Sequence, residues 1–470
     1  MTECRTEQYE FHALGNREIV GHFDGGDITT DAGGLLLREV DKRIGIIRRF
    51  AACFQDRRDA RFTEFTVEEL VGQRIYGLAL GYEDLNDHDR LRCDPALAVM
   101  VGKQDVKGEH RRVEQDRGKA LAGKSTLNRL ELTAAGPFST DPYKKIGRDD
   151  KAIDRLFVDH FLESHEKPPL EIILDADATD DPIHGHQEGR FYHGYYDCYC
   201  YLPLYIFCGE FLLCARLRRA NIDASAGTVD ELKWIVAQIR QKWPKVRIVL
   251  RGDSGFCREE ILSWCESNGV EYVIGLAKND VLLREIDEEL GKARKKFEKT
   301  KKPVRYFKDF QYSTKESWSR KRRVIGKAEH LAKGSNPRFV VTSLPKRQLG
   351  AQYIYERTYC ARGDMENRIK EQQLGLFADR TSTATMHANQ LRLYFSSVAY
   401  LLMHALRRSG LKDTDMADAQ CETIRVKLLK IGAQIQVTVR RIWFRMAGGY
   451  PYADVFAHVF ANLQSLPLHS

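Results

Sequence analysis

Residues 171–181 begin as an apolar run and end in a group of carboxylates, and this combination limits what the chain can fold into. The order Ile-Ile-Leu-Asp-Ala-Asp is typical of a β-strand, on which Ile173, Asp175 and Asp177 would share one face. Carboxylates at the end of a buried strand are costly to desolvate unless a cation meets them. The segment therefore predicts either an exposed strand end leading into a polar turn or, if other acids join it, a metal site.

The chain after this segment alternates between strand-like and helix-like patterns. Three strands, a helix, a strand, a helix and a strand form the order of a ribonuclease-H-like α/β domain. Functional sites in open α/β sheets form at the carboxyl ends of strands, where Asp177 and Asp253 are expected. The strand-like runs are residues 171–177, 199–207, 211–217, 246–250 and 271–276, and the helical patterns are residues 229–243 and 258–268.

A third acid follows much later in the chain. Residues 353–360 have the composition of a strand, and a helix is expected to start at Asp364. On that helix Glu366, Lys370 and Gln373 would share one face, because they are spaced by four and three residues. Residues 437–445 form a basic aromatic stretch, expected either to contact DNA or to be a core helix with extended arginine side chains.

One segment carries the basic excess of the chain. The net charge of the whole chain is +8, whereas residues 291–338 alone contain 17 lysines and arginines against four acidic residues. We interpret residues 280–350 as a basic, β-rich insertion in the α/β domain, which is either a polyanion-binding surface or a solvated hairpin. Trp318, on the most basic turn of this insertion, is expected either to stack on an unpaired base or to pack its core.

The totals exclude several classes of protein. A hydrophobic fraction of 43% and a charged fraction of 30% indicate a folded, soluble chain. No stretch reaches the ~18 apolar residues of a membrane span, and the first residues lack the apolar core of a signal peptide. Eleven cysteines without a Cys-x-x-Cys pair indicate reduced thiols in a cytosolic protein, and they favour neither a zinc knuckle nor a disulfide framework.

Three acids that converge would form a metal site. Asp177, Asp253 and Glu366 would repel one another unless cations lay between them. Mg²⁺ is a hard ion that binds a few carboxylates together with water and phosphate oxygens. Two such ions ~3.5–4 Å apart would activate a water or a 3′-hydroxyl for displacement at a phosphodiester. The acids and the basic segment together therefore predict a metal-dependent enzyme that acts on nucleic acid.

The chain resembles the DDE transposases of bacterial insertion sequences, and insertion-sequence family thirteen-eighty in particular. The spacing Tyr359-x-x-Arg362-x-x-x-Glu366 is similar to the Tyr-Arg-Glu-Lys signature of members with a β-strand insertion before the glutamate. Residues 174–185 and 249–256, which contain the aspartates, look like the acid motifs of that family, and residues 70–82 also look similar to it. The resemblance extends from about residue 20 to residue 450.

The resemblance implies the roles of individual residues. Asp253 is the second catalytic acid and Glu366 the third, while the first is Asp177 or, on the same strand face, Asp175. The lysine of the signature is replaced by Gln373, one turn after Lys370, which is expected to substitute for it. The metal ligands implied are Asp177, Asp253 and Glu366, with Mg²⁺ as the cofactor and Mn²⁺ able to substitute. The residues expected to bind DNA are Tyr359, Arg362, Lys370, Gln373, Trp318, Arg320, Lys321, Arg322 and Arg323.

The resemblance also implies an activity and partners. The expected protein binds double-stranded DNA at transposon ends, cleaves it and joins the 3′-hydroxyl ends to target DNA. It is expected to act on DNA as a homodimer and to have no membrane partner. Its expected location is the bacterial cytoplasm, at the nucleoid. Two alternatives are a ribonuclease-H-like nuclease without strand transfer and a non-catalytic DNA-binding protein derived from a transposase.

Five regions are expected on this basis. Arginines around the helical patterns of the first region, including Arg74, would suit recognition of DNA ends if they lie on outward faces. The regions are a mainly helical DNA-binding region (1–150), the first part of the ribonuclease-H-like core (168–279), the basic β-rich insertion (280–350), the second part of the core with the glutamate helix (351–410) and a helical carboxy-terminal region (411–470).

Overall fold

The computed structural model describes residues 8–135 and 144–468 and divides the chain into two compact units. Unit 1 contains Met1–Arg148, Gly375–Phe377 and Val398–Ser470, and unit 2 contains Asp149–Leu374 and Ala378–Ser397. In the part of the chain that is described, no helix is both long enough and apolar enough to cross a membrane.

The amino-terminal part of unit 1 alternates helices with short strands. Residues 1–150 were predicted to be mainly helical, and the structure adds to the helices a hairpin of β1 and β2 and further short strands in small sheets. Residues 1–7 and 136–143 of this region lie outside the described residues. The strands are β1 (Tyr9–Leu14), β2 (Arg17–Gly21), β3 (Asp27–Thr29), β4 (Phe54–Asp56), β5 (Ala134–Ala135) and β6 (Ile146–Arg148). The helices are α1 (Leu35–Ile44), α2 (Ile46–Ala51), α3 (Val67–Leu80), α4 (His88–Leu91), α5 (Pro95–Val101) and α6 (Lys124–Glu131), with 3₁₀ turns at Ala32–Gly34, Ala60–Phe62, Leu85–Asp87 and Glu114–Asp116.

Helix α3 is the buried centre of this part. It begins at Val67 because Thr66 and Glu69 form a reciprocal capping box, and it ends at Gly81, whose φ of 97° is in the left-handed region. Arg74 does not lie on an outward face, as the sequence suggested, but is 2% exposed. Its Nε is 3.2 Å from Oε1 of the fully buried Glu131, so this arginine is a structural residue of unit 1.

Unit 2 contains a large mixed sheet whose first five strands follow the predicted succession along the chain, except that the strand predicted at residues 199–207 is divided into two strands of different sheets, residues 198–201 and 204–208. The strand order is β12-β11-β7-β13-β14, in which β7, β13 and β14 are parallel and β11 is antiparallel to both neighbours. A separate three-stranded sheet, β8-β10-β9, lies between β7 and β11 in the chain. The elements are α7 (Asp150–Glu163), β7 (Glu171–Ala178), β8 (Asp181–Pro182), β9 (Phe191–His193), β10 (Cys198–Tyr201), β11 (Leu204–Cys208), β12 (Phe211–Arg216), α8 (Thr228–Lys242), β13 (Arg247–Gly252), a 3₁₀ turn at Ser254–Phe256, α9 (Glu259–Ser267) and β14 (Glu271–Leu276).

The strands of the predicted insertion extend the same sheet. β18 pairs with β14, β16 with β18 and β15 with β16, all antiparallel. The region 280–350 is therefore helical as far as Thr300 and β-rich from Val304 onward, and its strands are continuous with the sheet of β7 and β13. The elements are α10 (Asp280–Glu285), α11 (Asp287–Thr300), β15 (Val304–Tyr312), β16 (Arg322–Leu331), β17 (Gly334–Ser335) and β18 (Arg338–Thr342).

Residues 353–360 are helical, so the strand predicted there is wrong. The buried Ile354 and Tyr355 and the half-buried Thr358 and Tyr359 recur at helical spacing. Ile and Tyr favour strands by composition, but here their spacing on a helix covers one face of the sheet. The elements are α12 (Ala351–Tyr353), a π-helix (Ile354–Tyr359), a 3₁₀ turn (Cys360–Arg362), α13 (Gly363–Lys370), a π-helix (Glu371–Gly375) and α14 (Met386–Ala405).

The carboxy-terminal region contains strands as well as helices. Residues 437–445 do not form the core helix that was one of the two expectations; they form the turn and second strand of a hairpin, with Val439 fully exposed. β19 pairs with β20 and also with β3 of the amino-terminal part. The elements are a π-helix (Leu406–Gly410), α15 (Cys421–Ile424), a π-helix (Arg425–Leu429), β19 (Ala433–Val437), β20 (Ile442–Met446) and α16 (Ala453–Gln464).

Alternation along β13 assigns each face of the central sheet to a different layer. Ile248 and Leu250 belong to the core cluster that contains the buried residues of α8 and α9. Val249 belongs to the opposite cluster, together with Ile354 and Tyr355. Residues of the same parity as Val249 therefore point toward the face on which the helical segment 354–359 packs, and the register of β7 with β13 places Asp175 and Asp177 on this face.

Candidate active site

Three acidic residues from three separate elements line one cavity of about 720 Å³ in unit 2. Asp177 lies near the end of β7, Asp253 follows β13 directly, and Glu366 lies in α13. The parallel pairing of β7 with β13 brings the two strand ends to the same edge of the sheet. The three acids that the sequence suggested are thus brought together, although the strand predicted at residues 353–360 is a helix.

Asp175, the other candidate for the first acid, does not line this cavity. Its carboxylate accepts two hydrogen bonds from the guanidinium of Arg251, one of them from Nη2 at 2.6 Å, and both side chains are less than 10% exposed. Nη1 of Arg251 donates to the carbonyl oxygen of Thr358 at 2.5 Å. Burial raises the pKa of Asp175 and outweighs the opposing effect of Arg251. Asp175 is therefore part of a buried connection between β7, β13 and the helical segment.

Arg362 lies between two of the three acids. Its Nη1 donates to Oδ2 of Asp177 at 3.3 Å and its Nη2 to Oε1 of Glu366. Burial would lower the pKa of this guanidinium, but the charges of Asp177 and Glu366 outweigh burial and raise it. Arg362 is therefore a fixed cation at the centre of an acidic cavity.

The environment of the cavity changes the ionisation of Asp177. Burial raises its pKa to about 6; Arg362 opposes this rise, whereas the charges of Asp253 and Glu366 add to it. This mutual repulsion is the chemical condition under which carboxylates favour a divalent cation, and an all-oxygen donor set suits a hard ion. In the conformation described, however, no group of three or more His, Cys, Asp or Glu side chains within residues 8–135 and 144–468 stands in metal-binding geometry. The donor chemistry of these carboxylates thus fits a divalent metal, and Arg362 is paired to two of the three.

Asp253 is held by a tight turn at the end of β13. Its Oδ1 accepts a hydrogen bond from the backbone N–H of Gly255 at 2.8 Å, which starts the 3₁₀ turn. Gly275, on the neighbouring strand β14, allows this turn and Tyr359 to approach closely. A Cβ at Gly275 would lie 2.6 Å from Oη of Tyr359 and 2.9 Å from the backbone N of Ser254. The absence of a side chain at this position therefore permits the packing of Tyr359 against the turn of Asp253.

The glutamine and lysine at the far side of the cavity have different surroundings. Nε2 of Gln373 donates to Oδ1 of Asp181 at 2.9 Å and to the carbonyl oxygen of Asp180 at 3.1 Å. Asp181 is fully buried, and burial raises its pKa well above the ordinary value. Lys370 is exposed and lines the same cavity. Gln373 thus fastens the loop after β7, whereas Lys370 has its ammonium group available at the cavity.

The residues predicted on the basic turn fall into two groups. Trp318 is 9% exposed, makes an edge-to-face contact with Tyr312 and lies 5.3 Å below the guanidinium of Arg322, so it packs the core of the sheet. The Arg322 side chain is 2% exposed and pairs with Glu259 and Glu266, and the Arg323 side chain is 8% exposed and pairs with Asp309. Arg320 and Lys321 are exposed, and Arg320 pairs with Glu266 at the surface. The cavity and this turn are formed by different residues, with none in common.

Several residues of the site were not identified from the sequence. Arg251 directly follows the strand pattern at residues 246–250 and Gly275 lies inside the pattern at residues 271–276, and neither pattern signals their contacts. His193, Tyr195 and Tyr196 line the cavity and belong to a hairpin between β9 and β10. A signal for this hairpin does exist, because five phenylalanine and tyrosine residues occur among residues 191–199, shortly after the first acid motif, with a further tyrosine at position 201.

Comparison with known families gives one match across nearly the whole chain. Residues 11–468 match the family described as transposase DDE domain group 1. No curated protein matches the chain significantly.

Proposed function

Because the chain belongs to the transposase DDE domain family, we propose that it is a transposase that binds the terminal inverted repeats of an insertion sequence. It cleaves this DNA by metal-dependent phosphodiester hydrolysis and joins the 3′-hydroxyl ends to target DNA. The observation that carries the proposal is the convergence of Asp177, Asp253 and Glu366 on one cavity with Arg362 among them. The strand order of the first five strands supports a ribonuclease-H-like core.

The three acids are proposed as the ligands of Mg²⁺, for which Mn²⁺ can substitute. A divalent cation bound there would offset the charge of the scissile phosphate and favour ionisation of the attacking hydroxyl. Asp177 is proposed as the first acid because it faces the cavity, whereas Asp175 is bound by Arg251. Ionised Asp177 is the competent form, because a protonated carboxyl is a poor ligand for a hard cation.

The chain's own cations would position the DNA backbone. A guanidinium can bind two phosphate oxygens in parallel, so Arg362 is proposed to exchange its carboxylate contacts for the phosphate next to the cut. Lys370 is proposed to contact a neighbouring phosphate, in place of the signature lysine at Gln373. Tyr359 is half-buried and packs on Tyr355, so it is proposed to support the position of Arg362 three residues later.

Arg320 and Lys321 are proposed to contact the DNA backbone outside the cavity. Their neighbours Arg322, Arg323 and Trp318 would have to leave buried partners to reach DNA. We therefore favour DNA contacts by Arg320 and Lys321 over direct DNA contacts by these three residues. The spacing of Tyr359, Arg362 and Glu366 supports the Tyr-Arg-Glu signature group and insertion-sequence family thirteen-eighty. Since two transposon ends must be cut together, we propose a homodimer on DNA, acting at the nucleoid of the bacterial cytoplasm.

The test uses a plasmid that carries the DNA flanking this gene on both sides, incubated with purified protein and Mg²⁺ or Mn²⁺. Wild-type protein is expected to cut at defined ends and to produce joined products with a second plasmid. Cutting and joining are both expected to be lost, with binding to the ends retained, in the variants Asp177→Asn, Asp253→Asn and Glu366→Gln. Cutting without joined products would support the nuclease alternative, and binding without any cutting would support the non-catalytic DNA-binding alternative.

A further inference from the structure

A hairpin rich in aromatic residues extends from the chain immediately after the first acid. β9 and β10 pair antiparallel, and β10 pairs with β8, which begins four residues after Asp177. Large rings on this hairpin are exposed to an unusual degree. The exposed fractions are 85% for Tyr195, 53% for Tyr192, 45% for Tyr199 and 36% for Phe191.

The two faces of the hairpin differ in their packing. Cys200 is buried with Leu202 and Ala220 in a small core, against which Tyr196 and Cys198 pack. On the opposite face Tyr192 and Tyr199 are cross-strand partners whose rings meet edge to face at 5.6 Å. The guanidinium of Arg190 lies 3.9 Å from the centre of the Tyr199 ring. Burial of the small core stabilises the fold of the hairpin, but it gives no reason for aromatic residues on the exposed face.

The turn of the hairpin is fixed against the strand that carries Asp177. Asp197 has a φ of 55°, and its backbone N–H donates to the carbonyl oxygen of His193 at 2.9 Å, closing the turn. Oη of Tyr196 donates to the carbonyl oxygen of Ala178 at 3.4 Å, one residue after Asp177. Tyr195, between these anchored residues, lies at the wall of the cavity and contacts Tyr196 edge to face at 5.0 Å. One wall of the cavity therefore presents a large, solvent-exposed ring.

We propose that Tyr195 binds the face of an unpaired nucleobase in the DNA strand whose phosphate occupies the acidic cavity. Exposed tyrosine rings bind bases by stacking, which tolerates any base because every base has a π-face. In a duplex these faces are covered by neighbouring base pairs, so only an unpaired or displaced base can present one. Because Tyr195 lines the same cavity as the three acids, the base that it binds would be one next to the cut phosphate. Arg190 places a cation on the same hairpin. This inference rests on the proposed function, since it assumes that DNA enters the cavity.

The experiment measures binding of two DNA probes in Ca²⁺, with flanking-end sequence in both. One is a fully paired duplex and the other has its terminal nucleotides unpaired and carries 2-aminopurine at the terminal unpaired position. Tyr195→Ala is expected to weaken binding of the unpaired probe about tenfold, to change binding of the paired duplex less than twofold and to abolish quenching of the 2-aminopurine. Tyr195→Phe, which keeps the ring, is expected to behave as wild type. Trp234→Ala, which removes an exposed aromatic of α8 outside the cavity lining, is the matched control and is expected to change neither probe.

Equal weakening of both probes by Tyr195→Ala, or unaltered quenching, would overturn the proposal. Weakening by Tyr195→Phe equal to that of Tyr195→Ala would also overturn it, because the hydroxyl rather than the ring would then be responsible. The plasmid assay with wild-type protein separates the two hypotheses. Cleavage without a Tyr195-dependent preference removes the stacking proposal alone, and a Tyr195-dependent preference without cleavage removes the proposed activity alone.

Discussion

Asp175 and Arg251 form a buried ion pair two residues before Asp177 and Asp253 on adjacent parallel strands. Because side chains alternate along a strand, this pair and the two cavity acids share one face of the sheet. The same guanidinium also binds the carbonyl oxygen of Thr358, at the start of the segment that leads to Arg362 and Glu366. One arginine therefore connects the two strands that lead to Asp177 and Asp253 with the π-helix that precedes the helix of Glu366, and its pairing distinguishes the two aspartates that the sequence left as alternatives.

Replacing these two aspartates is expected to have opposite effects. Asp175→Asn leaves Arg251 buried with a weaker partner and is expected to lower the free energy of unfolding by about 3 kcal/mol. Asp177→Asn removes a carboxyl whose pKa burial raises to about 6, so at pH 8 it removes an unfavourable charge and is expected to leave stability equal or higher. Chemical denaturation of both variants checks this. A large loss of stability in Asp177→Asn, with none in Asp175→Asn, would reverse the assignment.

Gly275→Ala is expected to reduce cleavage at least tenfold, because the added Cβ displaces Tyr359 or the turn of Asp253. A displacement of about 1 Å at a reacting centre is sufficient for a large loss of rate. The measurement is the rate of plasmid cleavage. Gly291→Ala, on helix α11, is the matched control, since a Cβ there meets nothing within 4 Å and alanine favours a helix. Equal activity of the two variants would show that the close approach at Gly275 is not needed.

Arg362→Gln is expected to separate metal binding from cleavage. The substitution removes the cation that pairs with Asp177 and Glu366, so the affinity for Mn²⁺, measured by calorimetry, is expected to stay equal or increase. Cleavage is expected to fall about 100-fold, because the variant has no guanidinium to donate to the phosphate. Weaker binding of Mn²⁺ would instead indicate that Arg362 orients the carboxylates for the metal.

Arg322→Met is expected to destabilise the protein in a pH-dependent manner. Burial opposes ionisation of Glu259, but hydrogen bonds from Arg322, Ser263 and Ser319 outweigh it and lower its pKa to about 2. A lowered carboxyl pKa stabilises the fold above the unfolded value of 4.5, and this contribution is lost as the pH falls toward 2. We expect a loss of about 2 kcal/mol at pH 7, less than for a fully buried pair because Glu259 is partly exposed, and a smaller loss near pH 3. A difference that stays constant between these pH values would contradict the assignment.

The exposed half of the basic turn is expected to contact DNA. Arg320→Gln with Lys321→Gln is expected to reduce the slope of log affinity against log salt by ~0.9 for each DNA phosphate that the variant no longer neutralises. The double variant Lys242→Gln with Lys245→Gln, exposed and close together at the end of α8 and after it, is the control of equal charge. Equal slopes for the two double variants would indicate that the turn is solvated surface.

Much of the sheet could be predicted because its signals are local. The strands at residues 246–250 and 271–276 and the acids at the strand ends follow from short apolar runs and from short motifs. The helix at residues 353–360 was mispredicted because Ile, Tyr and Thr favour strands when judged one residue at a time. Its actual conformation depends on packing of Ile354 and Tyr355 against Val249 and Ile325, which lie far away in the chain.

The sequence by itself determined the succession of strands and helices from residue 171 to residue 276, the candidate acids Asp253 and Glu366 and the family to which the chain belongs, because these depend on local patterns and motifs. Only the tertiary structure decided which aspartate faces the cavity, which arginines are internal and which aromatic rings are exposed. Asp175 and Asp177 lie on the same strand face, and Arg320 and Arg322 lie in the same basic run, so no local pattern separates them. They differ in their partners, because Asp175 pairs with Arg251, and Arg322 pairs with Glu259 and Glu266. Such pairs form only after distant strands and helices have packed together.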